Sequence, residues 1–165
     1  MTSLTAFNSC DPAEAASMLR PCLDVDRWVD EIVDTRPYGN VEDLFAAARR
    51  AADPLTGAEL EAALAHHPRI GESVQGGSTE ADLSRSEQAA LKLGDDVQRR
   101  LVEGNQAYER RFGRVFLIRA AGRSSTEILD QLQVRLDNDL DTEDQVVADQ
   151  LRQIAVVRLA GVVDR

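Results

Sequence analysis

Both histidines of the chain stand side by side in the run His66-His67-Pro68-Arg69-Ile70-Gly71-Glu72. Proline disfavours the α region for the residue before it, so a helix arriving at His66 is predicted to stop at His67. An imidazole at a helix C-terminus meets carbonyl dipoles that favour imidazolium by about 0.3–1 kcal/mol in exposed settings, which brings its proton exchange near neutral pH. Such a group can act as acid or base. The same residues also describe a polar helix end stopped by proline, with His66 a solvated helix residue.

Arg158 is marked by periodicity. Val147, Leu151, Ile154 and Val162 trace the inward face of a final helix, and Arg158 falls four residues after Ile154 on that stripe. A guanidinium there needs an anionic partner, either a structural carboxylate or a bound carboxylate or ureido group that suits its planar fork. Ser84-Arg85-Ser86-Glu87 has the form of a capping box, which gives Glu87 a structural task at a helix start. A carboxylate in a first turn can also hold an imidazole or accept a substrate hydrogen bond, with Gln88 beside it as neutral donor and acceptor.

Other chemistries fall away. Adjacent histidines lack the i, i+4 spacing of helical zinc ligands, and no cysteine cluster joins them, so no metal site is expected. No Lys-Ser or Lys-Thr follows Gly76-Gly77, no Gly-x-Ser-x-Gly elbow is present, and no dinucleotide fingerprint follows a strand. Chemistry at His67 is therefore expected to need no cofactor.

Helices must carry these residues. Asp11-Pro12-Ala13-Glu14 opens a helix towards Arg20, and Val25, Trp28, Val29, Ile32 and Val33 mark a second that breaks at Arg36-Pro37-Tyr38-Gly39. A third is predicted over about Val41 to Ala52, and Thr56-Gly57-Ala58-Glu59 caps a fourth leading to His67. Gly71 to Ser78, with Ser73 and Gly76, reads as an irregular loop. The box at Ser84 is predicted to start a helix with Ala90 and Leu91 inward, ending near Gly94. A long helix over about Asp95 to Phe112 carries Val97, Leu101, Asn105, Tyr108 and Phe112 on one stripe, and Gly113 ends it. Val115 to Ile118 reads as a buried extended segment or loop. Ser124 to Glu127 caps a helix with Ile128, Leu129, Leu132 and Leu136 inward, and the last helix runs from about Thr142 to Val162.

Composition agrees. At 165 residues and 43% hydrophobic content the chain suits one domain with a sizeable core. Aromatics are 4%, and Ala, Leu and Arg are the commonest residues, joined by Glu and Gln among the good helix formers, so the expected fold is all-α, a single-domain bundle of about seven to nine helices over residues 1–165. A formal charge of -10 repels nucleic-acid backbones and anionic membranes. Cys10 and Cys22 have no metal-ligand spacing and read as reduced, buried thiols. With no membrane span, no signal-like start and Val163-Asp164-Arg165 unlike a peroxisomal address, the expected location is the cytoplasm.

Asn8-Ser9, Trp28, Arg36-Pro37, His67-Pro68-Arg69-Ile70-Gly71, Ser84 with Glu87-Gln88, Asn105 with Tyr108, Phe112-Gly113, Arg135-Leu136 and Arg158-Leu159 together resemble the 2-oxo-4-hydroxy-4-carboxy-5-ureidoimidazoline (OHCU) decarboxylases, from about Phe7 to Leu159. The resemblance implies an all-helical homodimer that performs the last step from urate to (S)-allantoin. It makes His67 the catalytic histidine, Glu87 the acid that accompanies it and Arg158 the active-site arginine. It places Pro68, Ser84, Arg85, Ser86, Glu87 and Gln88 at substrate, together with the main chain of Phe116, Leu117, Ile118, Arg119 and Ala120. Arg114 departs from the pattern, since an aromatic commonly follows the Phe-Gly pair.

The implied reaction suits a chain without a cofactor, because the substrate's own ring imine can take the electron pair that carbon dioxide leaves behind. Two alternatives stay open on the residues. A lyase for another ureido or hydroxy acid would bind such an acid without speeding allantoin formation, and a non-catalytic helical interaction module would show no pH-dependent ligand binding at His67.

Overall fold

Local capping chemistry sets most helix starts, as read in the computed structural model, which describes residues 1–72, 77–89, 91 and 93–164. The expectations for Ser73, Gly76, Ala90 and Arg165 lie outside these residues. Nine helices and one pair of two-residue strands make up the regular structure of the described residues, in agreement with the all-α class. The chain forms two compact units, residues 1–63 with the stretch from Leu151 onward, and residues 64–150.

The first unit begins with β1 (Thr2–Ser3) and α1 (Leu4–Ser9). Ser3 caps α1 by accepting the Ala6 N–H, and β1 pairs in parallel with β2 (Val163–Asp164). Asp11 caps α2 (Pro12–Leu19) through the Glu14 N–H at 2.9 Å. In α3 (Asp26–Asp34) the apolar spacing buries Trp28, Val29, Ile32 and Val33, while Val25 is the buried N-cap, just outside the helix. Asn40 caps α4 (Val41–Ala51), and Trp28 Nε1 donates to the Ala48 carbonyl at 2.9 Å. The Thr56–Glu59 box forms in both directions, at 2.8 and 3.2 Å, and starts α5 (Gly57–Leu64).

Polar clasps explain several of the motif residues in this unit. Asn8 accepts the Tyr38 N–H and donates to the Tyr38 carbonyl, both at 2.9 Å. Arg36 Nη1 donates to the carbonyls of Phe7 and Cys10 at 2.7 and 3.0 Å. Neither cysteine is in a disulfide; Cys22 is buried and Cys10 only half-buried.

In the second unit Ser78, not Ser84, is the cap: its side chain accepts the Ala81 N–H at 3.1 Å and opens α6 (Thr79–Gln88). The predicted helix from Ser84 to Gly94 is thus corrected to one that starts earlier and ends at Gln88, with Leu91 beyond it and partly buried. The serine-to-glutamate spacing of a capping box recurs inside helices, because i and i+3 are neighbours there in any case. α7 (Asp95–Phe112) ends at Gly113, whose φ of 69° is the left-handed conformation glycine adopts freely. The Ser124–Glu127 box opens α8 (Ser125–Leu136), and α9 (Leu140–Val162) begins two residues before the predicted Thr142, where Asp139 accepts the Thr142 N–H at 2.7 Å. Ile70, Leu101, Tyr108, Phe116, Ile118, Ala120, Ile128, Leu129 and Leu132 form this unit's core.

α7 approaches α8 closely at Gly104, where a Cβ would lie 2.3 Å from Leu132 Cδ2 and 3.1 Å from its Cγ. Leu132 is fully buried, so the clash, of about 1–3 kcal/mol, outweighs the gain of about 1 kcal/mol in helix propensity. Gly161 of α9 has open space around it. Thermal melts are expected to show Gly104→Ala lowering Tm by about 2–4 °C and Gly161→Ala raising it slightly.

Candidate active site

α5 ends at Leu64, and a turn follows in which the His67 N–H donates to the Leu64 carbonyl at 3.1 Å. His67 therefore stands just past the helix end, half-buried, and His66 is exposed in the turn instead of helical. The helix dipole fades within its last turn, so it bears less on this ring than the helix read up to His66 implies.

The loop after His67 is held by side chains from α6 and α7. Asn105 Nδ2 donates to the Ile70 carbonyl at 3.0 Å. The Gly71 N–H donates to Gln88 Oε1 at 2.9 Å, and the Gly71 carbonyl accepts from Gln98 Nε2 at 2.8 Å. Gly71 has φ 84°, and a Cβ there would meet Leu101 Cδ1 at 3.1 Å, so both backbone and space favour glycine. Arg69 forks onto Glu109 at 2.5 and 3.1 Å, and its guanidinium holds the Glu109 carboxyl below its ordinary range.

Ser84 is 3% exposed on α6, Arg85 pairs with Asp82 at the surface, and Ser86 is exposed. Glu87 and Gln88, both half-buried, form the last turn of α6, so the capping task read for Glu87 is not one it has. Gln88 spends its oxygen on Gly71, tying α6 to the His67 loop.

Val115 to Ala120 is irregular, with Phe116, Leu117, Ile118 and Ala120 buried and Arg119 half-buried. The side chains of Phe116, Ile118 and Ala120 belong to the core that also holds Ile70, so the His67 loop and this segment share one packed frame. Arg135 Nη1 donates to the Leu117 carbonyl at 2.6 Å, and its Nε and Nη2 donate to Glu143 Oε1 at 2.8 and 2.6 Å. Tyr108 donates to the same oxygen at 2.5 Å, and Asn138 Nδ2 to Glu143 Oε2 at 3.0 Å. Arg135 is 2% exposed and Glu143 0%. Arg114 pairs with Asp144 at 2.6 Å.

Arg158 belongs to the first unit, where it is 4% exposed as the stripe predicts, and its Nη1 donates to the Pro21 carbonyl at 2.9 Å. The second unit thus joins the His67–Gly71 loop, the end of α6 and the segment 116–120. Sequence reasoning missed Gln98, Glu143 and Gln150, and Arg135 entered it only through the family resemblance, without a role. Glu143 was within reach, because it lies four residues before Val147 on the stripe that exposed Arg158.

Known proteins resemble this chain in sequence and in fold. A model of the OHCU decarboxylase family matches residues 8–160. The 2-oxo-4-hydroxy-4-carboxy-5-ureidoimidazoline decarboxylase of Haloferax volcanii is 30% identical over 138 residues, 81% of this chain and 79% of that protein. That of Amia calva is 32% identical over 134 residues, 78% of this chain and 75% of that protein. A uric acid degradation bifunctional protein of Bacillus sp. (strain TB-90) is 26% identical over 163 residues, 96% of this chain, and the chain spans only 32% of that protein's length. A solved OHCU decarboxylase, determined in the presence of (S)-allantoin, shares the fold with a TM-score of 0.69 at 23% identity, covering 86% of this chain and 94% of that one. The class is that of decarboxylating lyases built from helices. Within it, the chain belongs to the OHCU decarboxylase family.

Burial, and then the Glu143 carboxylate, push the Tyr108 phenol up to about 12; burial raises Tyr38 as well. The folded protein keeps a proton that the unfolded chain releases near pH 10, so this contribution to stability is intact below pH 10 and is lost as pH rises towards 12. An alkaline absorbance titration is expected to leave Tyr108 largely un-ionised at pH 10, and Tyr38 less than half ionised, while the circular dichroism stays native. Half-ionised phenol in folded protein at that pH would contradict the buried network.

Proposed function

We propose that this chain decarboxylates OHCU to (S)-allantoin, the last step of urate conversion to allantoin. The C–CO2 bond breaks, carbon dioxide leaves, and its electron pair forms a carbon–carbon double bond while the ring imine nitrogen takes up the displaced pair and a proton. The resulting enol returns its hydroxyl proton and is protonated at the neighbouring ring carbon, and delivery from one face sets the S configuration.

In this reading His67, held by Glu87, exchanges the proton of the ring hydroxyl, and Arg158 orients the anionic substrate. Pro68, Ser84 to Gln88 and the main chain of Phe116 to Ala120 contact it, Gln88 through the amide nitrogen that its bond to Gly71 leaves over. The side chains of Phe116, Leu117, Ile118 and Ala120 are committed to the protein interior, which supports a main-chain role for that segment. The observation that carries the reading is the family match from 8 to 160, which takes in every residue given a role here. We further infer that residues 1–165 act as a single decarboxylase-like domain, as a homodimer and in the cytoplasm. No described helix is long and apolar enough to cross a membrane.

The test generates the substrate in place from urate with urate oxidase and hydroxyisourate hydrolase, and follows ultraviolet decay with circular dichroism. Faster decay with growth of the (S)-allantoin signal is expected. His67→Ala should lose about 10²–10⁴ in kcat with its melting curve unchanged. Decay at the spontaneous rate to racemic product, from folded protein, would overturn the reading and favour a lyase of another ureido acid.

A further inference from the structure

The segment Val115 to Ala120 lacks helical and strand pairing although four of its residues are buried, and buried main-chain groups need partners. Up to Arg119 those partners fall on alternate residues, and at the turn beyond, the Ala120 carbonyl accepts the Arg123 N–H at 3.1 Å. The Leu117 carbonyl accepts from Arg135 at 2.6 Å, the Arg119 N–H donates to Gln150 Oε1 at 2.9 Å, and the Arg119 carbonyl accepts from Arg123 Nε at 3.1 Å. In an extended chain the carbonyl of one residue and the N–H two residues on point to the same edge, and they are the pair a neighbouring parallel strand would engage. The groups of the residue between them point to the other edge.

We propose that Arg135 and Gln150 are positioning residues that stand in for a missing neighbouring strand, fixing the rotation of this segment so that the Ile118 N–H and carbonyl meet a ureide's complementary donor and acceptor. The inference rests on the decarboxylase reading, which puts substrate against this main chain. Gln150 is 8% exposed, and its oxygen is the acceptor for the Arg119 amide. Arg135 cannot swing freely, because Glu143 holds two of its nitrogens and its guanidinium lies 4.5 Å from the Phe116 ring centroid. Lysine, with a single ammonium, cannot reach Glu143 and the Leu117 carbonyl in this forked geometry.

The test compares Gln150→Leu, which removes the acceptor at similar size, with Gln150→Glu, which keeps an oxygen that accepts whether ionised or neutral. Gln150→Leu is expected to raise KM about tenfold with kcat changed less than about threefold, the pattern of lost uniform binding. Amide exchange at Arg119, followed by NMR, should quicken in the same variant, and Gln150→Glu should restore both readouts. Arg135→Lys should move KM the same way; should it fail to fold, the glutamine pair still decides. Unchanged KM and exchange in Gln150→Leu would overturn the proposal, as would equal damage by leucine and glutamate. An inactive wild-type protein would overturn the decarboxylase reading itself, and is recognised before any variant is made.

Discussion

A carboxylate and a guanidinium meet out of reach of solvent at Glu143 and Arg135, and the second unit is organised around them. Two charges so buried gain little net stability over a well-packed apolar pair, yet removing one partner costs about 3–5 kcal/mol because the other is stranded. The pair therefore acts as a geometric constraint more than as a source of stability. Glu143 brings α9 to Tyr108 of α7 and to Asn138 after α8, while Arg135 passes the same fixed geometry to the Leu117 carbonyl. Arg114 extends the polar frame: burial opposes its charge, but the oxygens of Asp144 and Tyr108 more than offset that and keep it protonated. An aromatic at 114 could not pair with Asp144.

What was legible in the sequence was mostly what is local. Asp11-Pro12 and the boxes at Thr56 and Ser124 work because cap and partner lie within one turn, and each forms as read. The box at Ser84 misled for the same reason, since its spacing is equally at home in mid-helix, and the working cap at Ser78 has no glutamate three residues on. α1 is six residues long and the strands two, too short for either period to register.

The site divides along the same line. His67-Pro68 announces itself by chain chemistry, and Arg158 by a charge on an apolar stripe. The side chains that hold the site tell little in sequence of what they hold, because their partners are main-chain groups far away: Gln98 reaches back 27 residues to Gly71 and Gln150 31 residues to Arg119, and Asn105, legible on its inward stripe, gives no sign of Ile70, 35 residues back. An amide on a helix face looks like surface until the fold brings a backbone group to it.

The most direct measurement is a crystal structure of the protein grown with (S)-allantoin. The product is expected beside His67, with its ureido group on the main chain between Phe116 and Ala120 and the Arg135–Glu143 pair unchanged. Allantoin bound away from His67, or held only by side chains while that main chain faces elsewhere, would contradict that expectation.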